Sequence, residues 1–285
     1  MSRAALGVLL FSLAACSTTA ARNPWAEQKS VFGLPTAPRA IGGYSAGCVA
    51  GAVSLPPDGE GFQLMRLTRR RFYGHPELVS FITSLGRQVK KAKLGALLIG
   101  DLGQPRGGPT PSNHRSHQSG LDVDIWFWRN PDAARRSLTL DERETLSAPS
   151  FVLAPGDSVD PARFTQADSR ILKFAAESAA VERIFVNAAI KRHLCKTEPA
   201  RGREWLRKLR PWFGHDDHFH VRLKCPAGSP ECQTQETIPD GEGCDSTLDW
   251  WFSEEARAKA AEPSQDAIPP MPKLPAECEA LLAPG

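Results

Sequence analysis

The sequence predicts an α+β fold: a small, mainly antiparallel sheet flanked by helices. Two observations carry that expectation. Apolar residues recur at helical spacing in two stretches, and four short apolar runs elsewhere read as strands, with no regular βαβ alternation between the two kinds. The length of 285 residues fits one large domain or two small ones, and a composition 41% hydrophobic and 24% charged excludes a wholly disordered or fibrous chain.

The amino terminus reads MSRAALGVLLFSLAAC, with Arg3 ahead of an apolar run from Ala4 to Phe11 and small residues before Cys16. That is the pattern of a short secretory signal over residues 1–15. It is too short to span a bilayer, which takes about 20 apolar residues. The ending Leu13-Ala14-Ala15-Cys16 also resembles the lipobox of bacterial lipoproteins, in which the cysteine becomes the lipid-bearing first residue. A plain signal peptide cut slightly later is the alternative. Stable anchoring takes more than one acyl chain. By the same resemblance, Ser17 rather than aspartate after the cysteine favours the outer membrane.

Residues 16–40 are polar, with Pro24, Pro35 and Pro38, and read as a lipid-anchored tether. The compact body is expected over residues 41–255. Within it, Leu78, Phe81, Ile82, Leu85 and Val89 predict a helix over about 76–92, and Ile171, Leu172, Phe174 and Ala175 a second over about 168–180. Strands are expected over Gly95 to Gly100, Leu121 to Trp128, Arg183 to Asn187 and His218 to Leu223. Residues 256–285 carry Pro263, Pro269, Pro270, Pro272 and Pro275, which predicts an extended tail whose end Cys278 pins.

The charge is nearly balanced, 35 basic against 32 acidic residues, which argues against a dedicated nucleic-acid binder. Seven cysteines divide into Cys16 and six others. An even number in an exported chain suggests three disulfides, for which counting alone leaves fifteen connectivities. No Cys-x-x-Cys pair is present to suggest a cysteine zinc site.

Five of the seven histidines fall in two clusters: His114 and His117, followed by Asp122 and Asp124, and then His215, His218 and His220. Side chains two apart on a strand point to the same face. His218, His220 and Arg222 therefore share one face, as do Asp122, Asp124 and Trp126. Phe219, Val221 and Leu223, and likewise Val123, Ile125 and Phe127, occupy the opposite, apolar faces. If the two strands lie close in one sheet, His117, Asp124 and His220 can converge. Two imidazoles and a carboxylate make a catalytic zinc site with the fourth position open to water. The Gly-x-Ser-x-Gly elbow and the His-Glu-x-x-His helix motif are both absent. Neither cluster holds a glutamate, so a general base must be a histidine: His218 first, then His215, which could instead stabilise an oxyanion or simply serve the turn. Asp122 is either an orienting partner for a ligand histidine or a solvated strand residue. His75 and His193, beside the predicted helices, are expected to be structural. The basic stretch Arg201 to Arg210 and the run Arg69, Arg70 and Arg71 are expected to be solvated faces, or contacts for carboxylates.

His117-x₆-Asp124 with the later His218-x-His220 resembles the zinc signature of the lysostaphin and D-Ala-D-Ala metallopeptidase group. Longer strings, Tyr73-Gly74-His75-Pro76, Ser116 to Asp124, Arg183 to Asn187, Arg210 to Phe213 and His220 to Ala227, resemble the penicillin-insensitive murein endopeptidase family. The resemblance implies a periplasmic zinc peptidase that cuts D-alanyl-diaminopimelate cross-links of peptidoglycan. It implies His117, Asp124 and His220 as zinc ligands, His114 close to them, and Asp157 and Asp160 as further metal-contacting positions that could serve a second ion. It also implies the pairings Cys48–Cys278, Cys195–Cys244 and Cys225–Cys232. A D-Ala-D-Ala carboxypeptidase would carry the same site; a non-catalytic peptidoglycan-binding lipoprotein that keeps the fold is the other alternative, and the intact His/Asp set argues against it.

Overall fold

The computed structural model describes residues 23–28, 37–111, 115–261 and 272–282. Strands β1 (Arg39–Gly43) and β2 (Ala46–Ala50) form a hairpin; β3 (Val53–Ser54), β4 (Asp58–Gly59), β5 (Phe62–Leu64) and β6 (Tyr73–Gly74) follow. Helix α1 (Pro76–Lys91) leads to β7 (Leu97–Ile99), β8 (Asp122–Trp126), helix α2 (Leu140–Thr145) and the small hairpin β9 (Val152–Leu153) and β10 (Ser158–Val159). Then come α3 (Gln166–Glu177), β11 (Val181–Val186), α4 (Ala188–Thr197), β12 (Leu209–Pro211), β13 (His218–Leu223), α5 (Glu254–Ala261) and α6 (Ala276–Leu282). The expected helices and strands are all present; His218–Leu223 has the expected bounds, and the others are shifted by a few residues at their ends.

The sheet is larger than expected, and it is mixed. Seven strands run in the order β12-β11-β13-β8-β7-β5-β4. β11 pairs with β12 and β5 with β7 in parallel, while β13 is antiparallel to both β11 and β8, β8 to β7, and β4 to β5. The reason lies in the connections. Parallel neighbours need a long crossover, usually a helix. Helix α1 provides one between β5 and β7, and α4 provides the other between β11 and β12. Two βαβ units are thus embedded in an otherwise antiparallel sheet.

Periodicity decides which face of the sheet is closed. Leu78, Ile82, Leu85 and Val89 of α1 and Ile171, Leu172 and Ala175 of α3 are buried. They form one core with Val123 and Ile125 of β8 and Phe219, Val221 and Leu223 of β13. Each such apolar side chain contributes about 1.5–3 kcal/mol by leaving water. Alternation then forces the polar set of β8 and β13 onto the opposite face.

The ends are not simply extended. The carboxy-terminal residues 276–282 are helical, and Cys278 bonds to Cys48 of β2. Trp25, in the segment expected as a tether, is fully buried with Ile41, Cys48, Ala50 and Cys278. Gly108 makes this possible: at φ 75°, a Cβ there would stand 2.1 Å from the indole. The other bridges are Cys195–Cys244 and Cys225–Cys232, the pairing that the resemblance implies. Among the described residues no helix is long and apolar enough to cross a membrane. Cys16 and His114 lie outside the described residues.

Candidate metal centre

Strands β8 and β13 are neighbours, and their register sets Asp124 opposite His220, Asp122 opposite Arg222, and Trp126 opposite His218. Opposed residues of an antiparallel pair share a face. His117 comes from the loop before β8, where it adopts a left-handed φ of 70°. Its backbone N–H donates to Asp122 Oδ2 at 3.0 Å, so the strand holds the loop that carries it.

His117, Asp124 and His220 thereby gather into one buried group whose ligand atoms lie within 4.8 Å of one another. His117 Nε2 stands 3.4 Å from Asp124 Oδ2, and His220 Nδ1 stands 3.0 Å from Asp124 Oδ1. Ligands bound at zinc distances around a tetrahedral ion are separated by about 3.3 Å. Donor chemistry and spacing both fit such an ion.

The electrostatics favour a cation here. Burial works against ionising Asp124, but His117 and His218 outweigh it and hold the carboxyl well below its usual range. Burial likewise opposes charge on His117, yet Asp124, Asp122 and Asp101 raise its pKa to about 9. Asp122 is fully buried. Arg222 donates to it from Nε at 2.8 Å and from Nη2 at 3.0 Å, and His220 Nε2 lies 3.3 Å from its Oδ1. These partners overcome burial and keep Asp122 ionised far below the ordinary carboxylate range. Arg222 is itself stacked 4.1 Å over the ring of Tyr44, whose hydroxyl donates to the Leu223 carbonyl.

His218 and His215 flank the group. His218 Nε2 is 3.7 Å from Asp124 Oδ1, and its Nδ1 is 2.5 Å from Asp217 Oδ1. Burial opposes its charged form, but Asp124 and Asp217 raise its pKa. His215 sits in the turn at a positive φ of 52°, its ring 4.9 Å from that of His218. Burial, together with His218 and His220, pushes His215 down to about 4. Its Nδ1 lies 2.8 Å from the Phe213 carbonyl, which can only accept. The neutral ring therefore carries its proton on Nδ1 and a lone pair on Nε2.

Not every expected residue meets this group. Asp157 lies on the β9–β10 hairpin, 3.1 Å from Arg257. Asp160 pairs with Arg163 and accepts from the Ala162 N–H. Neither belongs to the three-residue cluster. His75 caps α1, and His193 packs edge-on against Phe164. Part of the basic stretch is tied into the fold, with Arg203 paired to Glu242 and Lys208 bonded to the Ser178 carbonyl, while Arg201 and Arg207 are exposed as expected, Arg207 beside the exposed Asp240. Arg69 and Arg71 both meet the buried Asp101.

Two cavities abut the group, with Asp124 and His218 in the walls of both. The larger, about 570 Å³, is bounded by Arg115, Arg183, Phe185, Trp212 and Phe213. The smaller, about 220 Å³, is bounded by Arg66, Arg69, Asp101, Trp126 and Asp217. Sequence reading missed the wall residues Arg115, Phe185 and Trp212. The signals were indirect: Phe185 and Trp212 fall within strings that carry the family resemblance, and the register that sets Phe185 opposite His220 cannot be read locally.

Residues 40–283 match the family model described as penicillin-insensitive murein endopeptidase. A protein of that name from Yersinia enterocolitica is 43% identical over 96% of this chain and 95% of its own length. Namesakes from Klebsiella pneumoniae and Escherichia coli are 42% and 43% identical, each over 96% of both chains. A family model covering nearly all the described body, with relatives this similar end to end, shows that the chain belongs to the penicillin-insensitive murein endopeptidase family.

Proposed function

We propose that this chain is a zinc-dependent murein D,D-endopeptidase that hydrolyses D-alanyl-diaminopimelate cross-links in peptidoglycan. The observation that carries the proposal is the buried His117–Asp124–His220 group with the His218–Asp217 pair beside it, in a chain of this family. The two cavities that meet at Asp124 and His218 support an endopeptidase, since substrate must continue past the scissile bond in both directions. A carboxypeptidase needs room for only one residue on the leaving side.

His117, Asp124 and His220 would hold the zinc, which would supply Lewis acidity and lower the pKa of water towards about 7. Asp122, whose Oδ1 lies 3.3 Å from His220 Nε2, would orient that ring for its part in holding the ion. Asp217 accepts from His218 Nδ1–H and so leaves the Nε2 lone pair to take a proton from the attacking water. His218 then returns that proton to the leaving amine. With Nδ1–H committed to Phe213, neutral His215 has no second N–H to offer an oxyanion. It is suited to accept a proton, as the second candidate for the base.

The test is digestion of a purified cross-linked muropeptide dimer with and without chelator, followed by mass spectrometry. Dimers should fall to monomers only with metal present. His220→Ala should lose zinc and activity together. His218→Ala should keep its zinc and lose about 10²- to 10⁴-fold in rate. Near-normal cleavage by His218→Ala would remove it as the base, and release of terminal alanine alone would replace the endopeptidase with a carboxypeptidase.

The chain is further proposed to act in the periplasm, exported by residues 1–15 and held at the outer membrane by lipid on Cys16. Labelled fatty acid should enter the wild type and not Cys16→Ser, which should fractionate as a soluble protein.

A further inference from the structure

We infer that Arg183 and Arg115 form a subsite for the free carboxylate that the cross-link carries next to its scissile nitrogen. The inference rests on the proposed activity. In a D-alanyl-diaminopimelate bond the leaving nitrogen belongs to an α-amino acid centre. A carboxylate therefore sits one carbon from that nitrogen and arrives as an anion beside the metal group.

Charge decides which cavity receives it. In the smaller cavity Arg66 and Arg69 face Asp101, Asp124 and Asp217, and Arg69 is already 3.4 Å from Asp101. In the larger cavity three arginines face one acid, Asp124, which belongs to the metal group. Arg222 is committed to Asp122 by two hydrogen bonds. Arg183 has one acidic neighbour, Glu182 at 3.4 Å from its Nη2, and Arg115 has none among the described residues, so the wall of this cavity keeps a net positive charge.

Arg183 has the bonding capacity that a carboxylate needs. Its Nη2 donates to the Glu236 carbonyl at 2.6 Å and lies 3.4 Å from Glu182. Its Nε is buried and makes no hydrogen bond among the described residues. A buried donor without a partner costs free energy, and an arriving carboxylate would recover it through a charge-assisted bond. Arg115 is exposed on the cavity rim and has no ion pair among the described residues.

The register places this charge at a useful distance. On β11, Phe185 stands opposite His220, and Arg183 opposite Arg222. Arg183 is thus two residues, about 7 Å, along the strand from the position facing the metal group. A long arginine side chain spans much of that interval. The guanidinium can then hold a carboxylate three bonds from the reacting carbon while the carbonyl stays beside the metal group.

The experiment compares two synthetic cross-linked dimers, one with the free carboxylate beside the scissile nitrogen and one with that carboxylate amidated. Zinc-loaded wild type should cleave the free-acid dimer with a kcat/KM about 10- to 100-fold higher, the scale of a charged hydrogen bond. Arg183→Met should abolish most of that preference, chiefly through KM, with zinc content unchanged. Arg183→Lys should keep part of it, because charge remains without the fork. Arg115→Met, on the rim, should lower the preference by a smaller factor and carries the test if Arg183→Met does not fold. The inference is overturned if wild type cleaves both dimers equally, or if the arginine variants keep the wild-type ratio. If zinc-loaded wild type cleaves neither dimer, the cross-link activity itself falls, and the subsite with it.

Discussion

Asp122 is fully buried, and four donors or rings converge on it: two nitrogens of Arg222, the backbone N–H of His117, and the ring of His220. One carboxylate therefore fixes both a loop and a strand of the metal group. Asp122→Asn keeps the shape but removes the charge. The expected outcome is a loss of zinc affinity of about 10- to 100-fold, read by chelator competition. Stability should fall by about 3–5 kcal/mol in urea melts, because Arg222 is left buried without its counter-charge. Unchanged zinc affinity would show that Asp122 does not orient His220. Strand alternation alone placed Asp122, Asp124, His218 and His220 on polar faces. The register between the strands was not legible, because a slip of one residue would set His220 against Val123 or Ile125 and leave no metal group. His218 was legible as a neighbour of the ligands, whereas its bond to Asp217 depends on a side-chain direction that no spacing reveals.

Helix α1 shows how a local pattern survives into the fold and what it adds. The apolar repeat marked its span, and Pro76 at its first turn agrees with the start. Its cap is His75, whose Nδ1 accepts the Glu77 N–H at 3.2 Å. Only a neutral ring can do so. Burial lowers the pKa of His75 against the opposing pull of Glu77. The unfolded ring therefore binds its proton at a higher pH than the folded one. The stabilisation is fully present above the ordinary histidine value, about 6.5, and is lost as pH falls through the folded value. His75→Asn supplies a cap that does not titrate. Wild type should lose thermal stability relative to His75→Asn between neutral pH and about pH 5; a constant difference in Tm would show that the cap does not titrate there. Other elements gave weaker signals. The hairpin β1–β2 is built from RAIGG and AGCVA, glycines and small residues with little strand pattern. Helix α4 follows β11 with a single residue between them, its cap Asn187, and was hidden by the strand that precedes it.

At the scale of the whole molecule, the three disulfides close loops of very different size, with sequence separations of 230 for Cys48–Cys278, 49 for Cys195–Cys244 and 7 for Cys225–Cys232. None of the six cysteines belongs to the metal group, which is built on the centre of the sheet. Bridge loss should therefore uncouple stability from metal binding. If the bridges act by restricting the unfolded chain, the loop-closure relation gives about 5, 4 and 2 kcal/mol respectively. Paired Cys→Ala variants should follow that order in urea unfolding. The Cys48/Cys278 variant should also release α6 and expose Trp25, which the bridge and β2 now enclose, and a red-shifted emission from that tryptophan would report it. Its zinc content should stay at the wild-type level, because β8, β13 and the His117 loop are untouched. A reversed order of stabilities would assign the bridges a native-state packing role instead. Loss of zinc with the Cys48/Cys278 bridge would mean that the terminal clasp holds the His117 loop in place. That coupling is physically available through β2, where the Gln118 side chain bonds to the Gly47 N–H and the Ser45 carbonyl, so zinc content decides between an independent clasp and one that supports the site.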